Sequence, residues 1–163
     1  MSTEQRTEPE TTRLSFTLNG AERTVEARTD DTLLSTLRGQ CGVTSAREAC
    51  GIGICGSCTV LVDGAVASSC IMLTAQAAGR QVTTSEGLSP DPHQLSAVHD
   101  AFVRNGAFQC SFCIPGMVLA THAALHDPSV PNTVEAIRSY LAGNLCRCGS
   151  YPDILAAIED LLT

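Results

Sequence analysis

The sequence of residues 46–70 is AREACGIGICGSCTVLVDGAVASSC. Its four cysteines follow the spacing C-x4-C-x2-C-x11-C, and glycines separate the first three of them. This is the spacing of plant-type [2Fe–2S] sites. A structural zinc site usually shows paired C-x2-C groups instead, and this stretch fits that pattern poorly. The stretch therefore predicts a [2Fe–2S] cluster held by Cys50, Cys55, Cys58 and Cys70.

The loop from Cys50 to Cys58 is predicted to wrap tightly around that cluster. Two irons and two sulfides on four thiolates are anionic, so backbone N–H groups must point at the sulfur atoms. A backbone that turns this tightly needs residues that tolerate positive φ angles. Gly51, Gly53 and Gly56 are placed to meet this need in the cluster loop.

The segments on both sides of the loop predict β-structure. Apolar and polar residues alternate over 14–18, and Asn19-Gly20 is a hairpin signal. Asp63-Gly64 is a second turn signal, placed between two apolar runs. Asp31-Thr32 resembles a helix start. Further strands are predicted over 24–26, 59–62, 65–70 and 81–84, and a helix over 33–39.

The pattern changes to a helical one after a cluster of glycine, serine and proline over 87–93, which we interpret as a linker. Leu95, Val98 and Phe102 follow the helical spacing i, i+3, i+7. A second helix is predicted from Pro115-Gly116. Two more are predicted from N-caps with capping boxes, at Asn132 with Glu135 and at Ser150 with Asp153. The sequence thus predicts an α+β chain, with a disordered leader over 1–12, strands over 13–86 and about four helices over 94–163.

A second group of cysteines lies in the helical part, as Cys110-x2-Cys113 and Cys146-x-Cys148. By spacing alone, this group fits a zinc ion, a cluster or two redox pairs. Cys113 and Cys148 both directly precede a predicted helix start. Helix N-termini offer free N–H groups and a positive dipole end to an anionic centre. Placement therefore favours a second cluster, with zinc as the alternative.

Composition limits the function classes. The chain has 163 residues, nine cysteines and a net charge of −7, and its ten basic residues are scattered arginines. Nonspecific nucleic-acid binding requires clustered cations, so it is not expected. No apolar run reaches the roughly 18 residues of a membrane span, and the N-terminus lacks the apolar region of a signal peptide. We therefore expect a cytoplasmic chain whose reduced cysteines bind metal.

Three motifs together carry a family resemblance: CGIGICGSCTVLVDG, QCSFCIPGM and GNLCRCGSYPDIL, in this order. They resemble the iron–sulfur subunit of the molybdenum hydroxylases, the xanthine oxidase, aldehyde oxidoreductase and carbon monoxide dehydrogenase family. The resemblance covers residues 13–162. It implies a plant-ferredoxin-like β-grasp domain over 13–86, followed by a four-helix domain over 94–163. Each domain would hold one [2Fe–2S] cluster, the second on Cys110, Cys113, Cys146 and Cys148.

The resemblance also implies partners and a role. The second cluster would lie next to the molybdopterin of a large subunit, contacted by Gln109 and by the neighbourhood of Cys148. The first cluster would lie nearer the FAD of a medium subunit, in a heterotrimer or a dimer of heterotrimers. The chain would be the electron-transfer subunit of an oxidoreductase and would hold no substrate-converting residue. The alternatives are a free-standing ferredoxin-type electron carrier and a zinc-binding interaction module.

Two motifs depart from the family pattern. The ending CRCGSY stands where CRCTGY is commonest, and CGIGICGSC stands where CDxGQCGAC is frequent. Both variants keep every cysteine, which indicates a subfamily difference. Among the other residues, Cys41 is predicted to be a small buried hydrophobe, and Tyr151 to be a packing residue. His122 and His126 have helical i, i+4 spacing but no HExxH motif, so we interpret them as surface or interface residues.

Overall fold

The computed structural model describes residues 10–89, 91 and 93–163. Residues 1–9 of the predicted leader, and Pro90 and Pro92 of the predicted linker, lie outside this range. Thr11 and Thr12, which were predicted to belong to the leader, instead begin the first strand and pair with Arg28 and Ala27. The leader prediction is therefore corrected at its C-terminal end, because those two residues gain ladder hydrogen bonds from a partner strand.

The first half of the chain forms a mixed five-stranded sheet in the order β2-β1-β5-β3-β4. The β1–β5 pair is parallel, and the three other pairs are antiparallel. A mixed sheet followed by helices confirms the α+β class. The strands are β1 Thr11–Leu18, β2 Ala21–Arg28, β3 Thr59–Val62, β4 Ala65–Ser68 and β5 Gln81–Thr83, with helix α1 at Leu33–Gly39 between β2 and β3.

Both predicted hairpin turns are present. Asn19 and Gly20 have φ angles of 51° and 81°, and Asp63 and Gly64 have φ angles of 50° and 84°. Positive φ at both central residues is what a type I′ turn requires, and it matches the twist of the flanking strands. The helix predicted after Asp31-Thr32 is also present, since the Thr32 hydroxyl accepts a hydrogen bond from Ser35 N and caps α1.

The second half contributes the helices α2 Ala97–Arg104, α3 Ile114–His126, α4 Val134–Tyr140 and α5 Tyr151–Leu161. Short 3₁₀ turns lie at Thr74–Ala77, Ser85–Leu88 and Leu141–Gly143. Among the residues that the structure describes, no helix combines the length and the apolar composition needed to cross a membrane.

Several predicted boundaries were wrong by one or two residues. Leu95 lies before α2 and is 57% exposed, because Ser96 caps that helix. The N-cap of α4 is Thr133 rather than Asn132, and its hydroxyl accepts from Ala136 N. Asn and Thr are both good N-caps, so composition alone does not choose between neighbours. The return strand β4 ends at Ser68, two residues before Cys70.

Each half has its own apolar core, and helix α3 connects them. The sheet and α1 enclose residues such as Phe16, Leu33 and Val60, while Phe102, Met117 and other helical residues form the second core. A small third cluster joins the halves, and it consists of Leu61 from β3 and Leu119 and Ala123 from α3. The two cysteine groups, which flank β3 and α3, are therefore held close together.

Glu86 ties the 3₁₀ turn after β5 to the loop after α1. Its carboxylate accepts hydrogen bonds from the Thr44 and Ser45 N–H groups and from the Ser45 and Thr84 hydroxyls. Burial of the carboxyl raises its pKa, but the hydroxyl and N–H donors outweigh burial and lower it to about 2. A carboxylate held by several donors is a stabilising contact that requires the charged form.

We expect Glu86→Gln to lower the free energy of unfolding at pH 7 by about 1 kcal/mol. The residue as a whole is exposed although its carboxyl is partly enclosed, so this value is reduced for solvent screening. The pKa in the folded state lies below the unfolded value of about 4.3, so the contribution is complete above roughly pH 5.5 and disappears only as the pH falls toward 2. Thermal unfolding should show a constant difference from wild type between about pH 5.5 and 8. Glu22→Gln on the exposed strand β2 is the control. A difference that changed across this range would contradict the prediction.

Candidate metal centres

The first cysteine group surrounds the start of β3. Cys58 directly precedes β3 and Cys70 follows β4, and both are buried. Cys50 and Cys55 lie half-buried at the rim of the loop. The sulfur atoms form two pairs, in which Cys50 contacts Cys55 and Cys58 contacts Cys70. Cys50 also lies close enough to Cys70 to interact electrostatically, so the structure gathers all four predicted residues.

The loop has the backbone conformation that an anion-binding loop requires. Gly51, Gly53 and Gly56 have φ angles of 67°, 77° and 70°. A Cβ atom on Gly56 would meet Asn144 Nδ2 at 2.4 Å and Gly143 O at 2.9 Å. This position therefore requires glycine both for its φ angle and for the close approach of the helical half.

Backbone donors and burial act in opposite directions on the thiols of this group. The N–H of Ile52, the Cys55 side chain and the N–H of Ile54 hydrogen-bond Cys50 and lower its pKa to about 6. Burial and the neighbouring Cys58 raise the pKa of Cys70 to about 11. The rim of the loop thus favours a thiolate through its own donors, whereas a thiolate at the buried side needs the positive charge of a metal.

The second group lies at the N-termini of two helices. Cys113 is the N-cap of α3, and the Cys146-x-Cys148 segment comes directly before α5. Cys113 and Cys146 are buried, whereas Cys110 and Cys148 are exposed. Their sulfur atoms again form two pairs, in which Cys110 contacts Cys148 and Cys113 contacts Cys146. Each pair joins one residue from each segment.

The Cys146 sulfur faces a turn of backbone donors. Burial alone raises its pKa, but the N–H groups of Ser150, Cys148 and Gly149, with the Cys113 thiol, outweigh burial and lower it. Burial and the neighbouring Cys146 raise the pKa of Cys113 to about 12. The N–H of Phe112 and the Cys148 side chain lower the pKa of Cys110. At this second site the exposed Cys110 and the buried Cys146 both have a lowered pKa, and burial dominates only at Cys113.

The pairwise arrangement of the thiols matches the donor set of a two-iron cluster. A [2Fe–2S] cluster takes four thiolates, two for each iron. Two pairs of cysteines at each site fit this donor set.

Three hydrogen-bonded links join the two sites across the junction of the halves. The N–H of Leu145 donates to Cys55 O at 2.9 Å, and Asn144 Nδ2 donates to Gly56 O at 3.2 Å. The Arg47 guanidinium donates to Ser111 O at 2.5 Å and lies 5.5 Å from the centre of the Phe112 ring. A cavity of about 370 Å³ between the sites is lined by cysteines of both groups.

Two domain-family models match the chain, one for each half. Residues 16–88 match the model of a "2Fe-2S iron-sulfur cluster binding domain", and residues 84–159 match that of a "[2Fe-2S] binding domain". The chain is 42% identical over 152 residues to the xanthine dehydrogenase iron–sulfur-binding subunit of Escherichia coli O157:H7, covering 93% of this chain and 94% of that protein. It is 39% identical over 146 residues to the nicotinate dehydrogenase small FeS subunit of Eubacterium barkeri, covering 90% and 92%. The chain belongs to the iron–sulfur subunits of the molybdenum hydroxylases.

A solved structure agrees with this assignment. A chain of quinoline 2-oxidoreductase from Pseudomonas putida 86 superposes on this iron–sulfur subunit with a TM-score of 0.87, at 39% identity and over 93% of each chain. The family resemblance of the three sequence motifs is thereby confirmed.

This iron–sulfur subunit exposes apolar side chains beside both sites. Ile52, Ile54 and Ile71 are 65%, 61% and 59% exposed around the first group. Phe108, Phe112, Leu145 and Tyr151 are also exposed, and they lie on the segments that carry the second group. Gln109 is exposed next to Cys110, and the Cys110 sulfur contacts Cys148. Apolar patches of this kind mark interaction surfaces.

Sequence patterns did not predict the roles of some residues at the two sites. Arg47, Asn144 and Leu145 bond partners at least 64 positions away, and no local pattern indicates such partners. Tyr151 was predicted as a packing residue, yet its Oη accepts a hydrogen bond of 2.8 Å from Cys146 N. The position of Tyr151 three residues after Cys148 is the sequence feature that could have indicated this role.

Cys41, His122 and His126 lie outside the two cysteine groups. Cys41 is half-buried against the first core, and burial raises its pKa. His122 and His126 lie one turn apart on α3 with ring centroids 4.2 Å apart, and His126 Nδ1 contacts His122 O.

Proposed function

We propose that this chain carries electrons, one at a time, through two [2Fe–2S] clusters of a heteromeric molybdenum hydroxylase. The observation that carries the proposal is the pairwise gathering of two four-cysteine groups beside the same junction. The first group would hold one cluster and the second group the other. The ligands are Cys50, Cys55, Cys58 and Cys70 at the first site, and Cys110, Cys113, Cys146 and Cys148 at the second.

The chain itself supplies a short connection between the two sites. Leu145 N donates to Cys55 O, and Leu145 is covalently joined to Cys146. The path from the Cys146 sulfur to the Cys55 sulfur therefore consists of covalent bonds and one hydrogen bond. Each cluster, when bound, supplies a one-electron redox centre. The residues of this chain hold the two centres at a set separation and tune them by burial and N–H donors.

The exposed apolar side chains support a lasting association with partner subunits. We propose that the face with Gln109, Cys148 and Phe108 meets a large molybdopterin-binding subunit. The face with Ile52 and Ile54 would meet a medium FAD-binding subunit, completing a heterotrimer or a dimer of heterotrimers. Aromatic and aliphatic side chains at this exposure are costly for a free-standing carrier, because they stay in water whenever no partner is bound.

We propose the domain division that follows from this role. A plant-ferredoxin-like β-grasp domain over 13–86 would hold the first cluster, and a four-helix domain over 94–163 the second, with a linker over 87–93. The two separate apolar cores and the two matched family models support this division. All nine cysteines are unpaired by disulfides, which is consistent with a reducing cytoplasm. The reaction on the substrate takes place on the partner subunit.

The test is purification of the chain from its own cells under mild conditions. We expect a red-brown protein that absorbs between about 400 and 600 nm and contains iron and acid-labile sulfide in equal amounts. Two distinct electron paramagnetic resonance (EPR) signals should appear on reduction, and a larger molybdenum-containing chain should co-purify. A colourless protein with stoichiometric zinc would overturn the cluster assignment. A coloured chain that purifies alone would favour the free-standing carrier.

A further inference from the structure

A buried hydroxyl beside the second cysteine group has no hydrogen-bond partner among the described residues. Ser150 is 1% exposed, and its Oγ makes no hydrogen bond to any residue that the structure describes. It occupies the N-cap position of α5, where serine normally caps the helix, but its side chain makes no capping bond. A buried hydroxyl left unpaired is unfavourable, because it loses its hydrogen bonds to water and gains none in return. An acceptor other than the described residues would satisfy this hydroxyl.

The surroundings of Ser150 indicate what kind of acceptor this is. Ser150 belongs to the turn whose three successive N–H groups, on Cys148, Gly149 and Ser150 itself, hydrogen-bond the Cys146 sulfur. Gly149 has a φ angle of 83°, which lets the turn close around that sulfur. The turn thus concentrates donors around an anionic sulfur centre at a helix N-terminus. The hydroxyl is a further donor buried in the same turn.

We propose that the Ser150 hydroxyl donates a hydrogen bond to an inorganic sulfide of the second cluster and thereby raises its reduction potential. The proposal rests on the proposed function, since the acceptor arrives with the cluster. Reduction adds one negative charge to the cluster, so a donor stabilises the reduced state more than the oxidised state. Ser150 is therefore a tuning residue for the second cluster.

Thr121 provides a matched control for this role. Its Oγ1 is the other buried hydroxyl without a partner in the described part of the chain, and Thr121 is fully buried. It lies within α3, eight residues and about 12 Å along the helix from Cys113. Thr121→Val removes an equally buried hydroxyl with little change in shape. Any general effect of losing such a group should appear in this variant.

The experiment measures the reduction potentials of both clusters in the holoprotein by EPR-monitored titration. We expect Ser150→Ala to shift the second cluster about tenfold toward the oxidised form, which is about 59 mV for one electron. The first cluster, and both clusters of Thr121→Val, should keep wild-type potentials. Ser150→Gly should behave like Ser150→Ala. Glycine stands at this position in the common family ending CRCTGY. Ser150→Gly therefore tests the proposal even if alanine does not fit at this position.

The possible failures are distinguishable. Unchanged potentials in both Ser150 variants would overturn the hydrogen bond to the cluster. An equal shift in Thr121→Val would also overturn it, since that hydroxyl lies outside the turn. If the wild-type protein shows no EPR signal that Cys113→Ser removes, the second cluster is absent and the proposed function itself fails.

Discussion

Replacing Cys113 with serine is expected to remove the second cluster and leave the first one in place. Cys113 is buried at the start of α3 and is paired with Cys146, so its loss leaves one iron with a single thiolate from this chain. The first group lies in a separate core and keeps all four cysteines. Purified Cys113→Ser should therefore contain half of the wild-type iron and acid-labile sulfide, and should show only one of the two EPR signals.

The complementary variant and the control complete this experiment. Cys58→Ser should lose the other EPR signal and the other half of the iron, since Cys58 is the buried partner of Cys70. Cys41→Ser should keep both clusters, because Cys41 packs against the first core and belongs to none of the four cysteine pairs. Full iron in Cys113→Ser, or loss of one cluster in Cys41→Ser, would contradict the ligand assignment.

Loss of the second cluster should also interrupt electron transfer in the assembled complex. In the proposed order, electrons leave the molybdenum site through the second cluster and cross the Leu145–Cys55 hydrogen bond to the first. Cys113→Ser should then allow substrate to reduce the molybdenum site but prevent rapid reduction of the first cluster. Rapid-mixing spectroscopy on the assembled complex measures both steps.

The second large effect is expected at the junction of the two halves. Gly116 lies in the first turn of α3, where an added Cβ atom would stand 2.2 Å from Gly56 O. That carbonyl cannot move aside easily, because it accepts hydrogen bonds from Thr59 N, Thr59 Oγ1 and Asn144 Nδ2. We expect Gly116→Ala to destabilise the protein by about 2 kcal/mol through overpacking. For a chain of this size, this lowers the thermal midpoint by about 4–8 °C.

Gly39→Ala is the matched control for this substitution. Gly39 is also helical, at the end of α1, but an added Cβ atom there would meet no atom of the described residues within 4 Å. Alanine is the better helix former there by up to about 1 kcal/mol, so this variant should be neutral or slightly stabilised. A Gly116→Ala protein that unfolds at the wild-type temperature would show that the two halves do not press together at this point.

Local features of both sites could be predicted from the sequence. Cys50, Cys55 and Cys58 lie within one nine-residue loop, so their spacing alone determines that they can meet. The positive φ angles at Gly51 and Gly64 follow from short-range sterics in the same way. The metal bound by the second group was harder to predict, because its two segments are separated by 32 residues and their spacing alone also fits zinc. The family resemblance resolved that ambiguity.

Element ends were predicted less well where neighbouring residues compete for one role. Asn132 and Thr133 can both cap a helix, and the structure uses Thr133. Ser150 has the composition of a cap, yet its hydroxyl makes no capping bond, since the turn around Cys146 sets its conformation. In both cases the choice depends on how the preceding loop packs, which local composition does not contain.

The sequence by itself determined the cysteine groups, the two hairpin turns and the division into a strand-rich half and a helical half. These features depend on covalent spacing and on the φ angles that each residue type allows. Only the tertiary structure decided that Cys110 pairs with Cys148, that Leu145 bonds Cys55 and that Ser150 is buried with no partner for its hydroxyl among the described residues. These contacts form because α3 packs against β3 and brings distant segments together, and the free energy of that packing is a property of the whole chain.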